Sequence, residues 1–107
     1  MKKKRLPIKW DEFAVRNLNA IYEYIALDSV AAARLVKKSI ILLVRKLADF
    51  PEKYPKEEFL SDFPNNFRSV TKWSYKIIYE VTTEEIIILD VFHVKQNPQK
   101  IKSIPKV

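Results

Sequence analysis

His93 is the only imidazole in this 107-residue chain. Histidine is the residue type most often used for general acid–base work, so His93 is the chain's natural candidate for that role. It closes a strand-like run, and two roles fit that position: a general acid or base near a sheet edge, or a structural group bonded to backbone or to a tyrosine. Arg68 and Lys76 lie in the same C-terminal half, in segments whose side chains alternate. Facing outward they form a cationic patch for a phosphate or carboxylate; otherwise they pair with acids such as Glu80 or Asp90. The Arg68 guanidinium is the better held of the two, because its planar fork binds bidentately. Tyr75 and Tyr79 share a strand face by their alternation. On an open face they stack on bases or meet a partner; toward helices they are core, which the pattern favours. Trp73 falls at a hairpin tip, where it is exposed and interactive, whereas Trp10 anchors the first strand to the first helix. Lys95, Lys100 and Lys102 continue the positive charge beyond the last strand.

Missing residue types narrow the chemistry further. The chain has no Gly and no Cys. Glycine-dependent phosphate loops, dinucleotide-binding turns and nucleophile elbows are excluded, as are disulfides, thiolate metal sites and a cysteine nucleophile. A single His makes no multi-histidine metal site, so neither a metal nor a cofactor is expected. The longest unbroken apolar stretch, Ile40 to Val44, is far too short to span a bilayer. Met1-Lys2-Lys3-Lys4-Arg5 looks like the start of a signal peptide, but Pro7, Lys9, Asp11 and Glu12 break up the apolar stretch that such a peptide needs next. The expectation is a cytoplasmic protein with no membrane partner.

The elements that position these residues are set by periodicity. Leu6–Trp10 alternates as a short edge or terminal strand, and Asp11 is an N-cap. Ala14, Leu18, Ile21 and Ile25 form one stripe of a helix from Asp11 to about Leu27. Asp28-Ser29 breaks the run, and a second helix runs from about Val30 to Asp49 on Val36, Ile40, Leu43 and Leu47, with Pro51 ending it. So short a break predicts an antiparallel helical hairpin. Residues 51–66, with Pro51, Pro55, Pro64 and a cluster of acids, read as a loop with one turn of helix around Lys56–Leu60. The loop suits a basic partner or the chain's own basic arm, and solvation alone accounts for it equally well. The period then becomes two over Phe67–Lys72, Tyr75–Thr82 and Ile86–Val94. The last of these is apolar enough to be a central strand covered on both faces. The result is one α+β domain over 1–107, β-α-α-β-β-β, with a helical hairpin packed on one face of an antiparallel sheet. The other face is left as the natural functional surface.

The net charge of +7 is unevenly placed. Lys2, Lys3, Lys4, Arg5 and Lys9 make a basic N-terminal arm, Lys95, Lys100, Lys102 and Lys106 a basic C-terminal tail, and the body between is nearly neutral. Basic ends of this kind suit nucleic acid, an anionic surface or an acidic partner, or serve only solubility.

The chain resembles the RelE/ParE superfamily of bacterial type II toxins. The resemblance rests on Leu18-Asn-Ala-Ile-Tyr-Glu-Tyr-Ile-Ala, on Leu47-Ala-Asp-Phe-Pro, on Phe67-Arg68, on Tyr75-Lys-Ile-Ile-Tyr-Glu-Val81, and on Ile86-Ile-Ile-Leu-Asp-Val-Phe-His93 running to Pro98. It implies a toxin of a plasmid-stabilisation-type module with a cognate antitoxin as partner, as a homodimer or a toxin–antitoxin hetero-oligomer. ParE-like members act on DNA gyrase; RelE-like members are endoribonucleases that act on mRNA at the ribosome. Cleavage through a 2′-hydroxyl needs a base, cations for the charged phosphorane and help for the leaving oxygen. Arg68 and Lys76 match basic positions of such nucleases, and His93 matches the C-terminal His that some of them use. Where these nucleases carry an Arg and later a Tyr past the last strand, this chain has Gln96 and Lys102. That departure favours a gyrase inhibitor over an enzyme, with Arg68, Trp73, Lys76, Lys95, Lys100 and Lys102 as target-contact candidates. A basic nucleic-acid-binding or adaptor domain is the remaining alternative.

Overall fold

A computed structural model describes residues 5–95. Gln96, Lys100, Lys102 and Lys106, together with Lys2, Lys3 and Lys4 of the N-terminal arm, lie outside the described residues. The element order is β1 (Ile8–Trp10), α1 (Glu12–Ala26), α2 (Val30–Lys46), a 3-10 turn (Glu58–Leu60), β2 (Phe67–Lys72), β3 (Tyr75–Val81) and β4 (Ile86–His93). This is the α+β arrangement that the periodicity predicts.

Each helix starts where its cap residue allows. Asp11 accepts from the Phe13 N–H at 2.8 Å, and Ser29 accepts from the Ala32 N–H at 3.1 Å. Such caps are worth about 1 kcal/mol each. The second helix ends at Lys46, earlier than Pro51 requires, because residues 47–49 continue only as a turn.

The sheet order is β1-β4-β3-β2. β2, β3 and β4 pair antiparallel, while β1 pairs parallel to β4, Ile8 opposite Ile86 and Trp10 opposite Ile88. β1 is thus an edge strand, and β4 is central, as its apolar run predicts. The β3–β4 register shifts between Ile78 and Tyr79: Ile78 faces Asp90 and Tyr79 faces Ile88, so Leu89 is the extra residue of a bulge. The bulge stretches the alternation of β4 from two residues to three. Ile88 and Val91 fall in one core cluster, Leu89 and Phe92 in another. The turn between β3 and β4 closes without glycine, since the Thr82 hydroxyl donates to the Glu85 carbonyl and accepts from the N–H groups of Glu84 and Glu85.

The two clusters lie on opposite faces of the sheet. The larger joins Ala14, Leu18, Ile40, Val44 and Leu47 of the helical half to Ile77, Tyr79, Ile86 and Ile88, with Trp10 packed at its margin. The smaller joins Leu60 to Phe67, Ile78, Leu89 and Phe92, with Phe59 and Phe13 against it. The face expected to stand open is therefore partly covered. The 3-10 turn folds back over it because its Leu60 and Phe59 bury apolar area there, and the Glu57 N–H donates to the Phe67 carbonyl at 2.9 Å along the edge of β2.

Candidate functional site

The candidate positions in the strands and at the hairpin tip fall into two groups. Arg68, in β2, is inward-bound. Its Nε donates to Asn66 Oδ1 at 3.0 Å, Nη1 to the Tyr54 carbonyl at 2.6 Å, and Nη2 to Glu52 Oε2 at 3.1 Å. Its side chain is 12% exposed. Lys76, in β3, pairs with the Glu57 carboxylate, which is 1% exposed and also accepts from the Phe59 N–H. The Lys76 ammonium lies 5.5 Å from the centre of the Phe59 ring. The expected partners Glu80 and Asp90 are engaged elsewhere: Asn65 donates to Glu80 at 3.0 Å, and Asn17 of α1 donates to Asp90. The acids that hold Arg68 and Lys76 come from the loop of residues 51–57, which lies along the β2 edge through a bridge between Lys56 and Arg68. Its acids and the apolar turn after them act together as a cover.

Tyr79 is core. Its hydroxyl donates to the Pro51 carbonyl at 3.1 Å, and burial pushes its pKa up to about 12, against a smaller lowering by Arg68. Tyr75, half-buried, stands at the end of the same face.

The second group gathers at one end of the sheet. Trp73 and Ser74 form the turn between β2 and β3, and the Val94 N–H donates to the Ser74 carbonyl at 2.8 Å. The turn therefore sits beside the end of β4. Trp73 has φ 53°, the one positive φ among the described residues. A two-residue hairpin turn with φ > 0 at its first central position is normally served by Gly. This chain has none, and a bulky Trp in that region carries a cost of order 1 kcal/mol. The ring is nevertheless 55% exposed, with the Lys72 ammonium 4.8 Å from its centre. His93 stands edge-on to Tyr75, ring centres 5.4 Å apart. Its Nδ1 accepts from the Lys95 N–H at 3.1 Å, so a neutral His93 carries its proton on Nε2. Val94 and Lys95 beside it are exposed.

Beneath this end runs a cleft of about 730 Å³ between α1 and β4, lined by Phe13, Asn17, Tyr24, Tyr75, Phe92 and His93. The sequence did not single out Phe13 or Asn17. The usable signal was Asn17 itself, a polar residue one position before Leu18 of the buried stripe.

Chemically, neither strand cation is free: Arg68, beside Tyr79 on the helix-packed face, and Lys76, on the face covered by the 3-10 turn, already meet anions of their own chain. The exposed end offers an aromatic ring, lysines and an imidazole whose Nδ1 lone pair is occupied. Among the described residues, no group of three or more His, Cys, Asp or Glu converges to hold a metal, and no helix is long and apolar enough to cross a membrane.

A strand, a helical hairpin and a three-stranded antiparallel unit closed by that first strand define the fold of RelE/ParE superfamily toxins. Within that class the sequence matches the family described as ParE toxin of the type II toxin–antitoxin system, parDE, over residues 8–98, and the chain belongs to this family. A solved structure described as a chromosomal ParDE toxin–antitoxin system from P. aeruginosa is similar in fold. It has a TM-score of 0.69 and 26% identity, over 85% of this chain and 98% of that one. No curated protein matches the chain in sequence.

Proposed function

We propose that the chain is the toxin of a type II toxin–antitoxin pair, that it inhibits DNA gyrase, and that a cognate antitoxin neutralises it. The observation that carries this reading is the state of the two sheet cations. Phosphorane stabilisation requires cations aimed at the reacting phosphate and unpaired until it arrives. Arg68 and Lys76 are instead bonded to Glu52, the Tyr54 carbonyl and Glu57. His93, the remaining acid–base candidate, has its Nδ1 lone pair on the Lys95 N–H. These placements favour inhibition by binding over RNA cleavage. The antitoxin is supported by the family match and by the similarity to a ParDE pair.

On this reading the target-contact surface is the end of the sheet that carries Trp73, Val94 and Lys95. An exposed indole kept at a strained φ is retained against a stability cost, which points to contact rather than packing. Arg68 and Lys76 serve the fold. The test is a supercoiling assay with purified protein and gyrase. Stoichiometric toxin blocks supercoiling, and Trp73→Ala weakens the block at least ~10-fold, the loss of a contact worth about 1.4 kcal/mol or more. Translation-coupled mRNA cleavage by the unmodified protein, with supercoiling intact, overturns the reading in favour of a ribonuclease.

A further inference from the structure

Beyond the pairing of Trp10 with Ile88, no described strand continues along that side of β4. The Asp11 N–H donates to the Ile88 carbonyl at 2.9 Å, and the chain then turns into α1, which runs beside the second half of β4. The cleft of about 730 Å³ lies in the gap that a strand would fill. Val94 donates to Ser74 at the end of the ladder, so by alternation Val91 directs its N–H away from β3 and toward this gap. The neighbouring bulge turns the Asp90 carboxylate to the same edge. There its Oδ1 accepts from the Val91 N–H at 2.8 Å and from the Asn17 amide. The N–H that an added strand would use is already taken.

Helical spacing puts Phe13, Asn17, Ala20 and Tyr24 on the side of α1 that lines the cleft. Across from them stand Phe92 and the rings of Tyr75 and His93, which form a corner with centres 5.4 Å apart and planes at 86°. Tyr24 sits at the rim, 76% exposed. The faces of Phe and Tyr rings carry negative potential and attract cations. Elsewhere the chain covers such rings with its own lysines: Lys37 over Tyr22, Lys53 over Tyr54, Lys72 over Trp73 and Lys76 over Phe59. Among the described residues no lysine or arginine lines the cleft or lies over its rings. Asp90, 3% exposed, brings the only formal charge among the lining residues. In a chain with 20 basic residues against 13 acids, the charge of this lining has the opposite sign.

We propose that this cleft binds a small organic cation, an ammonium head on an apolar body. The head sits among the aromatic rings on the Asp90 side, and the body packs against Phe13, Ile21 and Phe92. Such a site depends neither on gyrase nor on the antitoxin. Other guests fit less well. An extended segment of another protein needs the edge of β4, and Asp90 holds the Val91 N–H there. A phosphate or a carboxylate finds no cation in the lining and meets Asp90. A metal ion finds one carboxylate where its coordination shell asks for several ligands. A neutral aromatic molecule gains the ring contacts but leaves the charge unused.

The test compares 2-phenylethylamine, 2-phenylethanol and 3-phenylpropionate, probes with one apolar body and a cationic, neutral or anionic head. Binding to the whole chain is measured by calorimetry and NMR at neutral pH. The ammonium binds at least ~10-fold tighter than the alcohol, and the carboxylate binds more weakly than either. The resonance shifts centre on the Asn17 side-chain amide and on the Tyr24, Tyr75 and Phe92 rings. Tyr24→Ala removes an exposed ring, keeps the fold by thermal melting, and weakens the ammonium at least ~3-fold. Asp90→Asn, whose amide oxygen still accepts from the Val91 N–H, brings ammonium and alcohol within about 2-fold of each other. Should that variant not fold, Tyr24→Ala carries the test. Equal affinity for ammonium and alcohol overturns the proposal, as do shifts centred outside the cleft or a Tyr24→Ala affinity within about 1.5-fold of the unmodified protein. So does an ammonium that fails to bind up to ~10 mM, the result expected if the cleft instead takes a lysine side chain of a partner or of the chain itself.

Discussion

The two ends of β2 treat their cations in opposite ways. At the Arg68 end, guanidinium, carboxylate, carbonyl and amide close on one another; Lys76, opposite Thr71 and on the other face of the sheet, is sealed by a buried Glu57. At the other end, Lys72 lies over an exposed indole, beside the exposed Val94 and Lys95. The difference is one of cover. The acids of residues 51–57 reach Arg68 on one face and Lys76 on the other, while Lys72 lies over the indole. Residue type alone therefore does not identify a working cation; the partner supplied by the rest of the chain decides.

The comparison can be broken most sharply by substitution at its two poles. Arg68→Ala leaves the Tyr54 carbonyl without its donor and removes one of the ties between the 51–57 loop and β2. Hydrogen bonds from charged donors are worth about 1.5–3 kcal/mol, whereas the Glu52 pair, with its exposed carboxylate, adds little. The variant should lose about 2–3 kcal/mol in denaturant unfolding, with Trp73→Ala within about 0.5 kcal/mol of the unmodified protein. Equal losses at both poles would remove the distinction.

A middle-sized effect comes from Tyr79, which ties β3 to Pro51 beneath the same cover. Its folded pKa, about 12, lies above the ordinary value of 10.0. Above pH 10 the unfolded chain releases this proton while the folded chain keeps it. The unfolded state then binds fewer protons, so stability is flat in this group below pH 10 and falls as pH rises from 10 to 12. Tyr79→Phe should remove that fall while costing about 1 kcal/mol at neutral pH for the lost hydrogen bond. A slope that persists in the Phe variant would assign it to another group.

The smallest expected effect is at the tip. Trp73→Gly relieves the positive φ and forfeits the Lys72 contact, so stability rises by about 0.5 kcal/mol or stays level. Gyrase inhibition should drop nonetheless. A loss above about 2 kcal/mol would make Trp73 a structural residue.

Much of the fold was legible in the sequence because the change of period from helical to alternating is strong, and because Asp11 and Ser29 have clear capping chemistry. Two features of the sheet were not. The short β1 carries too little pattern to show a parallel partner. The bulge is hidden because Ile86–Phe92 is apolar on both sides of Asp90, so a slip in the alternation leaves no mark. The site was less legible. Arg68 and Lys76 were visible as cations, but their partners come from a loop whose acids suited a basic partner, the basic arm or solvent equally, and in which Phe59 and Leu60 sit among acids and do not advertise a cover.

The gyrase supercoiling assay tests the central claim most directly. Purified protein in stoichiometric excess should abolish supercoiling, and prior addition of the antitoxin should restore it. Undiminished supercoiling at that excess would contradict the account.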